Sequence, residues 1–230
     1  MKKSRYVGIF LFLGVVSLFA QTNRYDVKSG MVEYEIIGSG DVMGSPTTVS
    51  GTSKLYFKDF GNVELSDEKI QQTVDGDKEE ERLVSKIMGE NVYTVDFVDE
   101  VIYTQKMVLD DDTASLNIKS KEAFISMGAK NLGVEEILGY KCDVWLLGED
   151  KIWVYNSVPL KLISKSLGLV QIQEAKLAVF NIIIKDDKFK LPSYPVKAMD
   201  EIIGEPDLDE MPPTQEEEKA MDDIVKKSSK

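Results

Sequence analysis

The sequence predicts an α+β domain that is mainly β, and three observations predict it. From Met31 to Met107 apolar side chains recur with a period of two, the breaks in that pattern carry glycine, aspartate and asparagine, and one short stretch near Phe124 has helical spacing instead. Alternation of apolar and polar residues suits antiparallel strands with one face buried and the other wet. The first half of the chain therefore reads as a meandering sheet.

The elements follow in chain order. In the run Met31 to Ile36, Val32, Tyr34 and Ile36 share a face, and Glu33 and Glu35 point the other way. Val49, Gly51, Ser53, Leu55 and Phe57 repeat the pattern, opposed by Thr52, Lys54, Tyr56 and Lys58. Tyr93, Val95 and Phe97 alternate with Thr94 and Asp96, and Val101 to Met107 is a further β-rich run. Predicted turns fall at Gly38-Ser39-Gly40-Asp41, Asp59-Phe60-Gly61-Asn62, Asp75-Gly76-Asp77 and Gly89-Glu90-Asn91, all rich in residues that tolerate turn backbones.

Asp110-Asp111-Asp112 opens a polar loop. The spacing of Ala123, Phe124, Ile125 and Met127 then predicts a short amphipathic helix from Ser120 to Lys130, capped by Ser120 and ended by Gly128 or Gly133. Strands are predicted at Lys141–Leu147, Lys151–Tyr155 and Leu160–Ser164, the last two flanking a turn at Asn156 to Pro159. Leu169 to Ile184 reads as two strands or one long bent one. Its end, Leu177 to Ile184, is apolar on both faces and asks for cover on each side, with the helix bearing Phe124 as one cover.

Both termini differ from this body. Lys2, Lys3 and Arg5 precede an apolar run from Tyr6 to Phe19, and Ala20 precedes the polar Gln21-Thr22-Asn23-Arg24. That is the layout of a cleaved secretory signal peptide, residues 1–20, and the apolar run is short of the roughly 20 residues a spanning helix needs. An uncleaved anchor is the alternative, because Leu18 is large for its place before the cut. No cysteine lies near residue 20, so a lipobox is absent. The body is expected over residues 21–190. From 191 to 230, Pro192, Pro195, Pro206, Pro212 and Pro213 interrupt an acidic stretch that ends in lysines. This segment reads as a mostly flexible tail with a transient helix from Thr214, or alternatively as an arm that docks on a partner.

Composition excludes several functions. The chain has 28 basic and 40 acidic side chains and a net charge of −12, and loss of the leader would remove three cations and no acid. Such a surface repels phosphate backbones, so no nucleic-acid partner is expected. There is no histidine, which removes Ser-His-Asp and Cys-His nucleophilic sites and nearly every zinc site. Cys142 is the single cysteine and cannot form an internal disulfide. It reads as a buried small hydrophobe, with a redox or intermolecular role as the alternative.

Local motifs do not point to chemistry either. The glycines of Gly38 to Gly44 are misspaced for a dinucleotide fingerprint. The acidic runs at Asp75 to Glu81 and Asp110 to Asp112 lack the EF-hand pattern. No enzyme, cofactor, metal site or catalytic residue is expected.

The most distinctive string is Glu135-Glu136-Ile137-Leu138-Gly139-Tyr140-Lys141-Cys142-Asp143-Val144-Trp145, followed by Lys151-Ile152-Trp153-Val154-Tyr155 and Val158-Pro159-Leu160-Lys161-Leu162. With Tyr56 to Gly61, it resembles the LolA-like superfamily, which includes outer-membrane lipoprotein-sorting-type proteins and relatives of unassigned function. The resemblance spans roughly residues 30 to 185. It implies a curved antiparallel half-barrel in the periplasm, with a short helix or helices covering the concave face and a cavity that shelters acyl chains in the named carriers. Their cavity arginine has no counterpart, since Arg24 and Arg82 sit outside any matching motif.

On this reading the chain is a non-enzymatic, exported binding or carrier protein, not integral to the membrane. Its partner would be a lipid, a lipoprotein acyl chain or a similar apolar ligand, held by Leu55, Phe57, Phe124, Met127 and Phe180. The alternative is a non-catalytic interaction module of the envelope with a filled core, engaging a protein partner through its acidic tail.

Overall fold

A computed structural model describes residues 24–106 and 120–199. The predicted leader, the Asp110–Asp112 loop and residues 200–230 lie outside the described residues.

Among the described residues, twelve strands form one open, curved sheet. The first meander comprises β1 (Gly30–Val42), β2 (Ser45–Lys58), β3 (Val63–Val74), β4 (Asp77–Met88), β5 (Asn91–Asp96) and β6 (Val101–Lys106). The second comprises β7 (Lys130–Ile137), β8 (Tyr140–Leu147), β9 (Asp150–Tyr155), β10 (Val158–Ser166) and β11 (Leu169–Phe180). Each meander pairs consecutive strands antiparallel, and β1 joins them by pairing with β11 from Gly30↔Phe180 to Gly40↔Leu169. A short β12 (Val196–Ala198) lies parallel to β6 at the far edge. The other edge is β7.

Cross-strand partners share a face, so the register defines the two surfaces. One row on the first face runs Ile70, Gly51, Ile36, Gln173, Leu162, Ile152, Trp145. The next row on the other face runs Arg82, Lys69, Thr52, Glu35, Glu174, Lys161. The alternation predicted for Val32–Tyr34–Ile36 and Val49–Leu55–Phe57 is the first face, where Val32, Ile36 and Phe57 are wholly buried.

Hairpin turns are tight. Met43 and Gly44, Asp75 and Gly76, and Leu167 and Gly168 each place two successive residues at positive φ, the type I′ geometry that matches strand twist. The turn predicted at Gly38–Asp41 is instead strand, and β1 reverses at Met43–Gly44. The glycines serve a close approach: a Cβ at Gly40 would lie 2.1 Å from the Gly168 carbonyl oxygen of the neighbouring hairpin.

The predicted helix is α1, Ser120–Ser126, shorter than expected. It closes as Gly128 donates to the Ile125 carbonyl and Ala129 to the Phe124 carbonyl, with Gly128 at φ +79°. Residues 130–137, which had no strand prediction, form β7. Among the described residues α1 is the α-helix, and it covers only the β8–β10 end of the sheet, where Phe124 and Met127 pack with Trp145, Ile152, Val154 and Leu162.

After β11 the chain crosses the second face. Ser29 donates from Oγ to the Ile182 carbonyl at 2.6 Å, and Ile184, Phe189, Leu191 and Tyr194 pack on Leu65, Val84, Val95 and Ile102. Residues 191–199, placed in the tail by the sequence reading, are thus seated on the sheet and lead into β12.

Candidate functional site

The five residues expected to hold a ligand fall into two separate packed clusters. Leu55 and Phe57 share the first face of β2, and Phe180 at the end of β11 joins them. The Phe57 ring lies 4.4 Å from that of Tyr25 and 6.3 Å from that of Phe180. Gly30 makes room for this, since a Cβ there would lie 2.7 Å from both the Phe57 and Phe180 rings. Phe124 and Met127 belong to the other cluster, with Phe124 stacked on Trp145 at 5.4 Å. Phe57, Leu55 and Phe124 are 0%, 7% and 5% exposed, so these side chains fill space with one another. Cys142 is wholly buried, and burial pushes its thiol up to about 11, which keeps it protonated and unreactive.

The segment Arg24–Ser29 closes the first cluster. Tyr25 donates to Glu64 Oε2 at 2.7 Å, and Arg24 Nη2 lies 3.2 Å from the same oxygen. Arg24 also donates to the Gly61 carbonyl, whereas its Nε has no hydrogen-bond partner among the described residues. Burial is the main cause that pushes the Tyr25 and Tyr34 phenols up, and the Glu64 charge adds to it. Tyr34 donates to the Pro159 carbonyl at 2.7 Å. These groups serve as closure for the core.

An open space lies on the second face. A groove of about 430 Å³ is lined by Lys54, Tyr56, Leu65, Asp67, Arg82, Val84 and Phe97 of the sheet and by Asp187, Lys188, Lys190, Leu191 and Pro192 of the crossing segment. That volume is within the range of roughly 300–1,000 Å³ typical of small-molecule sites. The register explains the sheet side: Tyr56↔Leu65, Lys54↔Asp67 and Asp67↔Val84 are cross-strand partners. Leu65 and Val84 are buried, giving an apolar floor.

The polar groups of the groove are partly committed. Arg82 grips Asp67 with two bonds, Nε at 2.9 Å and Nη2 at 2.7 Å, and its guanidinium lies 4.9 Å from the centre of the Phe97 ring. Lys54 reaches Glu33 at 2.7 Å. Lys188 sits 5.6 Å from the Tyr56 ring centre. None of the five residues expected from the sequence lines this groove. The alternation assigned Lys54, Tyr56 and Lys58 to the outward face, and that was the available signal. What it could not show is that residues 185–194 return to wall that face. Among the described residues, no group of three or more acidic or cysteine side chains is placed to hold a metal ion.

No protein-family model matches the chain, and no curated protein matches it. Its likeness to solved structures is weak. One is an uncharacterized conserved protein from Thermus thermophilus, with TM-score 0.40 and 7% identity, covering 73% of this chain and 90% of that one. Another is a DUF1329 family protein from Desulfovibrio piger, with TM-score 0.28 and 11% identity, covering 76% and 93%. A third is a putative outer membrane lipoprotein-sorting protein domain from Vibrio parahaemolyticus, with TM-score 0.27 and 10% identity, covering 71% and 89%. Fold likeness at this level does not assign function, and what the chain binds has to be read from its own residues.

Proposed function

We propose that this chain is an exported, non-enzymatic binding protein of the cell envelope that holds a hydrophobic ligand on its curved sheet. The observation that carries the reading is the groove over Leu65 and Val84: it is open, has an apolar floor, and is walled by a separate segment. The leader-like first twenty residues and the absence of histidine agree with export and with binding rather than catalysis. Leu55, Phe57, Phe124, Met127 and Phe180 act in this reading as the packed support of the sheet, and the ligand lies across from Phe57 on the opposite face.

The test uses full-length protein purified without detergent. Uptake of a fluorescent fatty acid at one equivalent, weakened roughly tenfold by Phe97→Ala, is expected. Ligand-free protein in native mass spectrometry together with no fatty-acid uptake would overturn the reading.

The second reading, a non-catalytic interaction module, takes support from the close packing around Phe57. It predicts that deletion of residues 200–230 releases a co-purifying envelope protein, and that fatty acids do not bind.

A further inference from the structure

The groove differs in charge from the molecule around it. The chain carries a net −12, yet the groove is lined by four cations, Lys54, Arg82, Lys188 and Lys190, against two acids, Asp67 and Asp187. Arg82 already neutralises Asp67, and Lys54 is committed to Glu33. Lys188 and Lys190 stand on the crossing segment with Asp187, and none of the three makes an ion pair among the described residues, which leaves a local surplus of one positive charge, with Lys188 resting against the Tyr56 ring. At physiological salt, charges more than about 8 Å away are largely screened, so an anion in the groove meets these local cations rather than the acidic whole. The floor beside them is Tyr56, Leu65, Val84, Phe97 and Leu191.

We infer that the groove selects a single-chain anionic amphiphile: its hydrocarbon lies along the Leu65–Val84–Phe97 floor, and its carboxylate or phosphate head is held by Lys188 and Lys190. This rests on the ligand-binding reading above and adds to it the sign of the head group and the residues that read it. Lysine meets such heads as a compact point charge on a flexible stem, so carboxylate and phosphate are accepted alike. The neutral analogue of equal chain length forfeits the charge-assisted contacts.

The experiment titrates full-length, detergent-free protein with laurate, dodecyl phosphate, dodecanol and dodecyltrimethylammonium, all below their micelle-forming concentrations. Inorganic phosphate serves as a separate competitor. Laurate and dodecyl phosphate are expected to bind at least roughly tenfold more tightly than dodecanol, with the cationic amphiphile weakest and inorganic phosphate without effect. In the double variant K188E/K190E, whose changes fall on exposed side chains, the preference should collapse while dodecanol binding persists. Equal binding of laurate and dodecanol, or a preference that survives in the double variant, would overturn this inference and leave hydrophobic-ligand binding standing. Displacement by inorganic phosphate would also overturn it, by showing a site for the free anion. Failure of every amphiphile to bind would sink both readings.

Discussion

Glu64 is the buried acid on which the N-terminal segment closes. It receives the Tyr25 hydroxyl and the Arg24 guanidinium at 2.7 and 3.2 Å in a site where both charged side chains are 6% exposed. A buried ion pair adds little over well-packed apolar residues, but removing one partner strands the other without water. Glu64→Ala is therefore expected to cost roughly 3–5 kcal/mol, read as a lower denaturant midpoint with an unchanged slope.

Glu68, further along the same face of β3, behaves differently. Burial, helped by Glu81, pushes its carboxyl from 4.5 up to about 7. The folded protein thus holds a proton that the unfolded chain has already lost at neutral pH. Its burial carries no charge penalty below about 4.5, where both states are protonated, and the penalty grows as pH rises and is complete above about 7. Glu68→Gln should raise Tm at pH 8 and change it little at pH 4. Equal effects at both pH values would remove this account.

At this scale the sequence was legible in part. That Leu55 and Phe57 share a buried face follows from alternation alone. That Arg24 and Tyr25 lie over them does not, because alternation says which face is covered and not by which distant segment. The same gap hid Lys188 and Lys190, whose place beside the groove depends on the path of the chain after Phe180.

Among the elements, the joint between β1 and β11 has the tightest tolerance. At Gly40 a side chain would meet the Gly168 carbonyl at 2.1 Å and the Leu169 Cα at 2.7 Å. Gly40→Val should force the two hairpins apart and cost about 1–3 kcal/mol by overpacking, measured by thermal or chemical unfolding. Reading Gly38 to Asp41 as a turn was reasonable on composition, since glycine marks both a reversal and a close backbone approach. Only the partner strand distinguishes the two. β7 was missed for another reason. Seven of its eight residues are exposed, so no burial pattern is written into it, and its register is irregular between Asn131 and Gly133. A charged, irregular strand of this kind protects a sheet edge from pairing with other chains.

Over the whole molecule, the two meanders meet through β1 and β11 at the centre of the strand order. Stability should be graded accordingly. Amide hydrogen exchange is expected to be slowest in β1, β2 and β11 and fastest in β7 and β12. Equal protection at centre and edge would contradict that arrangement. Strands such as β1, β2, β5 and β8 were readable from period and punctuation, whereas β7, β12 and the order of the strands were not. Pairing the first long strand with the last needs contacts between residues such as Val32 and Ala178, and local patterning carries no record of such a distance.

The crossing segment has a practical corollary for anyone who trims the protein. Its prolines and acids make position 190 look like a sensible place to stop, yet a product cut there would forfeit Leu191, Tyr194 and the strip beside β6. The greasy floor at Leu65 and Val84 would then keep Ile184 and Phe189 but lose the rest of its cover, and sticky, poorly dispersed material would be the outcome, easily mistaken for a domain that cannot fold.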